Sequence, residues 1–140
     1  MKTYPAKRTG YINYLLIGTL LLPFIPYWVN SQLIYEKPFI LLPILAPFLL
    51  ILWGYLNTIY RIEKEELVYR SAFLGGRIAI SNITEVVKGK TMWSGIKPAL
   101  ARKGLIIKFN KYDEIYIAPQ NNEELISDLL KINPDIKITE

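Results

Sequence analysis

The chain has 140 residues, 51% of them hydrophobic, with 17 Lys and Arg against 12 Asp and Glu (net charge +5) and neither Cys nor His. That length holds one modest domain plus an anchor. Without Cys there is no disulfide framework, thiol nucleophile or thiolate metal site, and without His the commonest general base and imidazole ligand are missing; the Cys-free composition fits a reducing compartment.

Met1–Gly10 carries Lys2, Lys7 and Arg8 and no acid. Residues 11–56 then hold only two charges, the adjacent Glu36 and Lys37. The stretch divides into two apolar runs, about Tyr11–Val29 and Phe39–Leu56, each near the roughly 20 residues that a membrane-spanning helix needs. No small-x-small cleavage site follows the first run, so it reads as a retained span rather than a signal peptide. Tyr11, Tyr14, Tyr27, Trp28, Trp53, Tyr55 and Tyr60 fall where aromatic rings favour the headgroup level. Pro38 suits the start of the second span; Pro23, Pro26, Pro43 and Pro47 predict kinks or shortened helices. With no ionisable group inside either run, the hairpin reads as an anchor rather than a transport path. Lys2, Lys7, Arg8, Arg61 and Lys64 flank the spans on the side opposite the turn, which predicts a multi-pass protein of the plasma membrane with N- and C-termini cytoplasmic. The domain boundary falls at 57/58, giving a 1–57 hairpin and a 58–140 soluble domain.

The soluble part is nearly balanced, with 13 Lys/Arg and 11 Asp/Glu in Thr58–Glu140. Period-two alternation predicts strands around Tyr60–Ile62, Leu67–Tyr69, Arg77–Ile80, Ile83–Lys88, Leu105–Phe109 and Glu114–Ala118. Glu63-Lys64-Glu65 reads as a hairpin turn, and Leu74-Gly75-Gly76 as a second with positive φ at glycine. The short connections make Thr58–Lys88 a four-stranded antiparallel meander. Asn121 and Glu124 have capping-box spacing, Leu125, Ile126, Leu129 and Leu130 share one helical face, and Asn133-Pro134 ends the helix. The residues thus predict an α+β protein: an apolar two-helix hairpin, then a curled antiparallel sheet capped by a C-terminal helix.

An ordered set of motifs carries a family resemblance over about Thr58–Ile138. It runs through Tyr60-Arg61-Ile62, Glu66-Leu67-Val68-Tyr69, Gly76-Arg77-Ile78-Ala79-Ile80, Ile83-Thr84-Glu85-Val86 and Gly104-Leu105-Ile106-Ile107-Lys108-Phe109. It closes with Ile115-Tyr116-Ile117-Ala118-Pro119 and Leu129-Leu130-Lys131-Ile132-Asn133-Pro134. This order resembles the bacterial pleckstrin-homology-like (PH-like) domains, in their YyaB-like branch. The resemblance implies a PH-like barrel or sheet with a C-terminal helix at a bacterial membrane, and brings no catalytic residues.

The sharpest candidate site is the stretch Lys88–Lys111, which has seven cations and no acid. Lys88, Lys90, Trp93, Lys97, Arg102, Lys103 and Lys108 are its candidate lipid- or partner-binding residues. Such a loop could lay Met92, Trp93 and Ile96 at a headgroup boundary while its cations meet anionic lipid; the alternative is a loop folded over the sheet with Trp93 in the core. Nucleic acid is disfavoured by the small net charge and the lack of a reading motif. Glu65-Glu66, Asp113-Glu114 and Glu123-Glu124 flank turns or a helix start, and Ser71, Ser81, Ser94 and Ser127 have no histidine to activate them. No catalytic residue, cofactor, metal or small-molecule substrate is expected. The expected role is a non-enzymatic scaffold that binds a protein partner or itself at the cytoplasmic membrane face, with anionic headgroup binding through residues 88–111 as the alternative.

Overall fold

A computed structural model describes residues 1–140. After a first strand, β1 (Lys2–Pro5), come α1 (Tyr11–Leu21) and α2 (Phe24–Val29), separated by one tight turn. Pro23 and Pro26 have no N–H to continue the helical ladder. The turn there tightens, with Leu22 N–H donating to Thr19 O at 3.4 Å and Ile25 N–H to Leu22 O at 3.1 Å. A short α3 (Ser31–Glu36) fills the connection, its first turn capped by Asn30 Oδ1, which accepts from Gln32 N–H at 3.1 Å. Pro38 opens a 3-10 turn that leads into α4 (Leu41–Asn57), and Pro47 lies inside that helix. The helical segments Tyr11–Val29 and Pro38–Asn57, with mean hydropathy 1.6 and 2.3, are long and apolar enough to cross a membrane. α1 and α4 pack together, and nearly all their remaining apolar surface faces outward.

The rest is a head of two four-stranded sheets. The first has the order β1-β2-β3-β4, with β2 (Ile59–Glu63), β3 (Glu66–Ser71) and β4 (Leu74–Ala79) forming an antiparallel meander. The second has the order β7-β6-β5-β8, from β5 (Ile83–Lys88), β6 (Leu105–Phe109), β7 (Asp113–Ile117) and β8 (Lys137–Thr139), the last parallel to β5. The expected four-stranded meander therefore stops at three strands. A 3-10 turn at Ile80–Asn82 carries the chain into the other sheet. Ile80 is buried in that corner, and Asn133 Nδ2 donates to the Ile80 and Ile83 carbonyls at 3.0 and 3.3 Å, holding the bend.

The β3–β4 turn also differs from expectation. It falls at Ala72-Phe73, with Ala72 at φ 50, and Gly75 and Gly76 lie within β4 at ordinary φ. Gly76 is opposite Tyr69 in the register, and a Cβ there would lie 2.5 Å from the Tyr69 hydroxyl. The glycine thus makes room for a ring rather than for a turn. The Lys64-Glu65 turn forms as expected, both residues having positive φ.

No closed barrel forms. Besides the Ile80 corner, the sheets join at a second one, where Lys7 N–H donates to Ala118 O at 2.8 Å and Gln120 N–H to Pro5 O at 2.9 Å. One core runs between them, with Tyr60, Leu67 and Ile78 from one side and Val86, Leu105, Ile107, Ile115 and Ile117 from the other. Helix α5 (Asn122–Ile132) closes it with Leu125, Ile126 and Leu129, each contributing about 1.5–3 kcal/mol of burial. Asn121 Oδ1 caps α5 by accepting from Glu124 N–H at 3.2 Å.

β1 has no counterpart among the strands expected from sequence. It pairs antiparallel with β2, Pro5 opposite Ile59 and Lys2 opposite Ile62, and buries Tyr4 and Ala6 in the head's core. Its outer end is fastened to α5. Lys2 Nζ donates to Asp128 Oδ2 at 2.5 Å, and the Tyr4 hydroxyl donates to the same oxygen at 2.6 Å. The apolar hairpin is therefore inserted between two neighbouring strands of one sheet.

Candidate functional site

Four segments meet where the head joins the apolar helices. Residues 7–11 lead into α1 and residues 56–60 leave α4. The β3–β4 turn packs beside α4, and a Cβ on Gly54 would lie 3.8 Å from Ala72 Cβ. Thr58 locks this junction. Its hydroxyl donates to Gly54 O at 2.5 Å, which uses its one proton, so Ser71 Oγ must be the donor in the buried 2.7 Å contact between the two hydroxyls. Gly54 is three residues before the end of α4, so the turn reaches about 4.5 Å along the helix. Phe73 at its tip is 77% exposed.

The fourth segment is the loop 89–104. Arg102 lies between two aromatic rings, 5.7 Å from the centroid of Tyr11 and 5.6 Å from that of Trp93. On the other side of the junction, Arg8 lies 5.3 Å from the Tyr55 ring and donates to Leu56 O at 3.3 Å. Trp93 is 76% exposed, while Met92, Pro98, Leu100 and Ala101 of the same loop are buried. Exposed indole and buried aliphatics in one loop combine features of both arrangements expected from sequence.

Two buried tyrosines hold the loop down. The Tyr60 hydroxyl donates to Pro98 O and accepts from Ala118 N–H at 3.2 Å. The Tyr116 hydroxyl donates to Ala101 O at 2.7 Å and accepts from Gly104 N–H at 3.0 Å. Burial pushes both hydroxyl pKa values up, opposed by those backbone N–H bonds, so both remain donors. Tyr60 was expected at a headgroup boundary; it is instead wholly buried, because β2 turns its ring into the core and only its hydroxyl reaches the loop. Gly104 packs on the end of β7, where a Cβ would overlap the Ile117 carbonyl oxygen.

Charge is distributed unevenly. Residues 7–11, 56–60, 70–76 and 89–104 contain seven cations (Lys7, Arg8, Arg70, Lys90, Lys97, Arg102 and Lys103) and no carboxylate. None of the seven makes an ion pair. Elsewhere on the head, Lys2, Arg61, Arg77, Lys88, Lys108 and Lys131 each sit beside a carboxylate, while Lys64, Lys111 and Lys137 are unpaired but have acidic sequence neighbours within two residues.

This pattern sorts the candidate residues. Lys90, Trp93, Lys97, Arg102 and Lys103 lie together in the loop, with Lys97 Nζ donating to Trp93 O at 3.1 Å. Lys88 and Lys108 lie on strands and are engaged within the head. Lys88 pairs with Glu123, which raises its pKa. Lys108 bonds to Glu85 at 2.9 Å, and bonds from Thr139 and then Lys108 hold that carboxyl below its usual range. Sequence reasoning passed over Lys7, Arg8, Arg70 and Phe73 as part of this surface. Their signal was faint: a basic start and a Ser-Ala-Phe-Leu step between strands, brought beside the loop only by tertiary folding.

The family described as Bacterial PH domain matches residues 58–133. The chain is also 31% identical over 101 residues to the uncharacterized protein YyaB of Bacillus subtilis (strain 168), an overlap covering 71% of this chain and 68% of that protein. No solved structure matches.

Proposed function

The chain belongs to the bacterial PH domain family, and we propose that it is a non-enzymatic plasma-membrane protein whose head presses a basic, aromatic-tipped face onto anionic lipid headgroups. The anchor is residues 1–57 and the head residues 58–140, with β1 returning from the anchor side to complete the head. Pairing of β1 with β2 supports placing both ends of the hairpin on one side of the bilayer. The local excess of cations supports the cytoplasmic side for both termini.

The observation that carries the reading is the set of seven unpaired cations, without a carboxylate among them, at the end of the head that adjoins the spans. A cation near an anionic surface contributes about 1 kcal/mol. The head is already tethered, so weak contacts are populated through a high local concentration. Phe73 and Trp93 supply rings for the headgroup level.

The test uses the full chain with Trp28→Phe and Trp53→Phe, leaving Trp93 as the sole indole, reconstituted in vesicles. The expected result is a blue-shifted Trp93 emission in phosphatidylglycerol relative to phosphatidylcholine. The shift should be reversed by salt and lost when Lys90, Lys97, Arg102 and Lys103 are replaced by Gln. Identical emission in both lipids would overturn the proposal.

Self-association is a second reading, favoured by one feature. β4 ends its sheet without an outer neighbour and borders a groove of about 460 Å³ lined in part by Ile59, Arg70, Phe73 and Arg77. A free edge of this kind can accept a strand from a second copy. Concentration-dependent dimers in sedimentation of the full chain, lost on Arg77→Pro, which removes an outward-facing edge N–H and no core side chain, would support it.

A further inference from the structure

Two grooves open on the same side of the first apolar helix. One, of about 340 Å³, lies at the start of α1 among Lys7, Thr9, Tyr11, Tyr14, Arg102 and Lys103. Its three cations make no ion pair and no carboxylate lines it. The other, of about 350 Å³, is formed by Gly18, Leu21, Leu22, Phe24, Ile25 and Trp28. At about 100° per residue, Tyr11, Tyr14, Gly18 and Leu21 of α1 fall within an arc of about 80°. Gly18 opens the second groove, since a Cβ there would meet nothing within 4 Å.

The spacing along the axis fits the layers of a bilayer. Gly18 is seven residues beyond Tyr11, about 10 Å deeper. The headgroup layer of one leaflet is about 5–8 Å thick, so a phosphate held beside Tyr11 would have its acyl carbons at the level of Gly18. Arg102 is suited to the phosphate end. The rings of Tyr11 and Trp93 hold the guanidinium, and its planar N–H edge can meet two oxygens of one phosphate.

We infer that this track binds one anionic phospholipid, with its phosphate among Lys7, Arg102 and Lys103 and an acyl chain along the Gly18 groove. The inference rests on the membrane-surface reading above and narrows it from a diffuse attraction to one lipid in one place. The cations at one end and the apolar lining at the other favour a lipid over either competing occupant. A free phosphate would use only the first groove, and a helix of a second copy only the second.

Native mass spectrometry of the full chain, extracted from bilayers of equal phosphatidylglycerol and phosphatidylcholine, tests this. The expected result is one retained phosphatidylglycerol, enriched about tenfold over phosphatidylcholine. The enrichment should vanish in Lys7→Gln/Arg102→Gln/Lys103→Gln and in Gly18→Leu, and inorganic phosphate should not displace the lipid. Gly18→Leu fills open space, so the Trp93 emission shift on anionic vesicles should survive in it. That survival separates failure of the lipid track from failure of the surface reading. Equal retention of the two lipids would overturn the inference, as would enrichment that persists in Gly18→Leu. Displacement by inorganic phosphate would assign the first groove to a free anion, and a dimer lost in Gly18→Leu would assign the second to a partner helix; either result overturns it.

Discussion

Tyr60→Phe removes one oxygen from the centre of the head and leaves the ring in place. That oxygen donates to Pro98 O and accepts from Ala118 N–H at 3.2 Å, at a residue with 0% exposure. Both backbone groups lose their partner together. A buried group left without a hydrogen bond costs about 1–3 kcal/mol. The loop can lift Pro98 toward water and recover part of this, so about 2–4 kcal/mol is expected. At about 4–8 °C per kcal/mol for a domain of this size, Tm falls by roughly 10–30 °C. The assay is thermal unfolding of the full chain in detergent micelles, followed by near-ultraviolet circular dichroism, which reports the packed rings of the head. Hydrogen exchange should speed up first at residues 96–104, because Tyr60 holds that loop and not the outer strands. Tyr116→Phe, which orphans Ala101 O and Gly104 N–H, should behave similarly. A Tyr60→Phe protein within about 0.5 kcal/mol of its parent, with unchanged exchange in the loop, would refute the claim that these hydroxyls hold the basic face in shape.

Three further outcomes are expected. Deleting residues 2–6 strips β2 of its neighbour and removes Tyr4 and Ala6 from the core; light scattering should then find association through the bared edge, and an unchanged monomer with unchanged Tm would contradict the role of β1. Bonds from Lys2, Tyr4 and Lys131 hold the Asp128 carboxyl well below the usual range. A depressed folded-state pKa adds stability above the ordinary aspartate value of about 3.9, and that stability drains away as pH falls toward the folded value; β1 should loosen in that acid window, and Asp128→Asn should flatten the acid limb of a Tm–pH curve. Gly104→Ala drives a methyl into the Ile117 carbonyl, so stability should fall by about 1–3 kcal/mol, as in other overpacked cores, and thermal unfolding should show the matching drop in Tm.

Where one element's own residues decide its structure, the sequence was legible. The apolar runs, the Asn121 cap, the leucine face of α5 and the Lys64-Glu65 turn all follow from local pattern. The misplaced features depend on partners distant in sequence. Gly76 looks like a turn residue until Tyr69 is seen opposite it. Tyr60 looks like a headgroup-level ring until its hydroxyl is traced to Pro98 and Ala118. β1 is four residues in a basic leader, and only its register against β2, across the whole hairpin, makes it a strand. Part of the candidate surface was visible for a related reason. Residues 89–104 are contiguous, so their cations stand out in the sequence, whereas Lys7, Arg8, Arg70 and Phe73 join them only through folding.

That register also bears on how the head can act. β1 ends at Pro5 and β2 begins at Ile59, side by side in one sheet, so the two apolar helical segments form the connection of a β-hairpin. Neighbouring strands lie about 4.8 Å apart. A head held by two chains that close together cannot swivel as it could on a single linker. The Thr58–Ser71 contact and the Gly54–Ala72 packing restrict it further by fixing the β3–β4 turn against α4. Phe73, Trp93 and the unpaired cations are thus held at a set height relative to the apolar helices. An unconstrained domain would lose much of its orientational freedom on settling against lipid, whereas here that entropy is already spent in folding. On the proposed reading, modest attractions of about 1 kcal/mol per cation are then enough to keep the face against lipid.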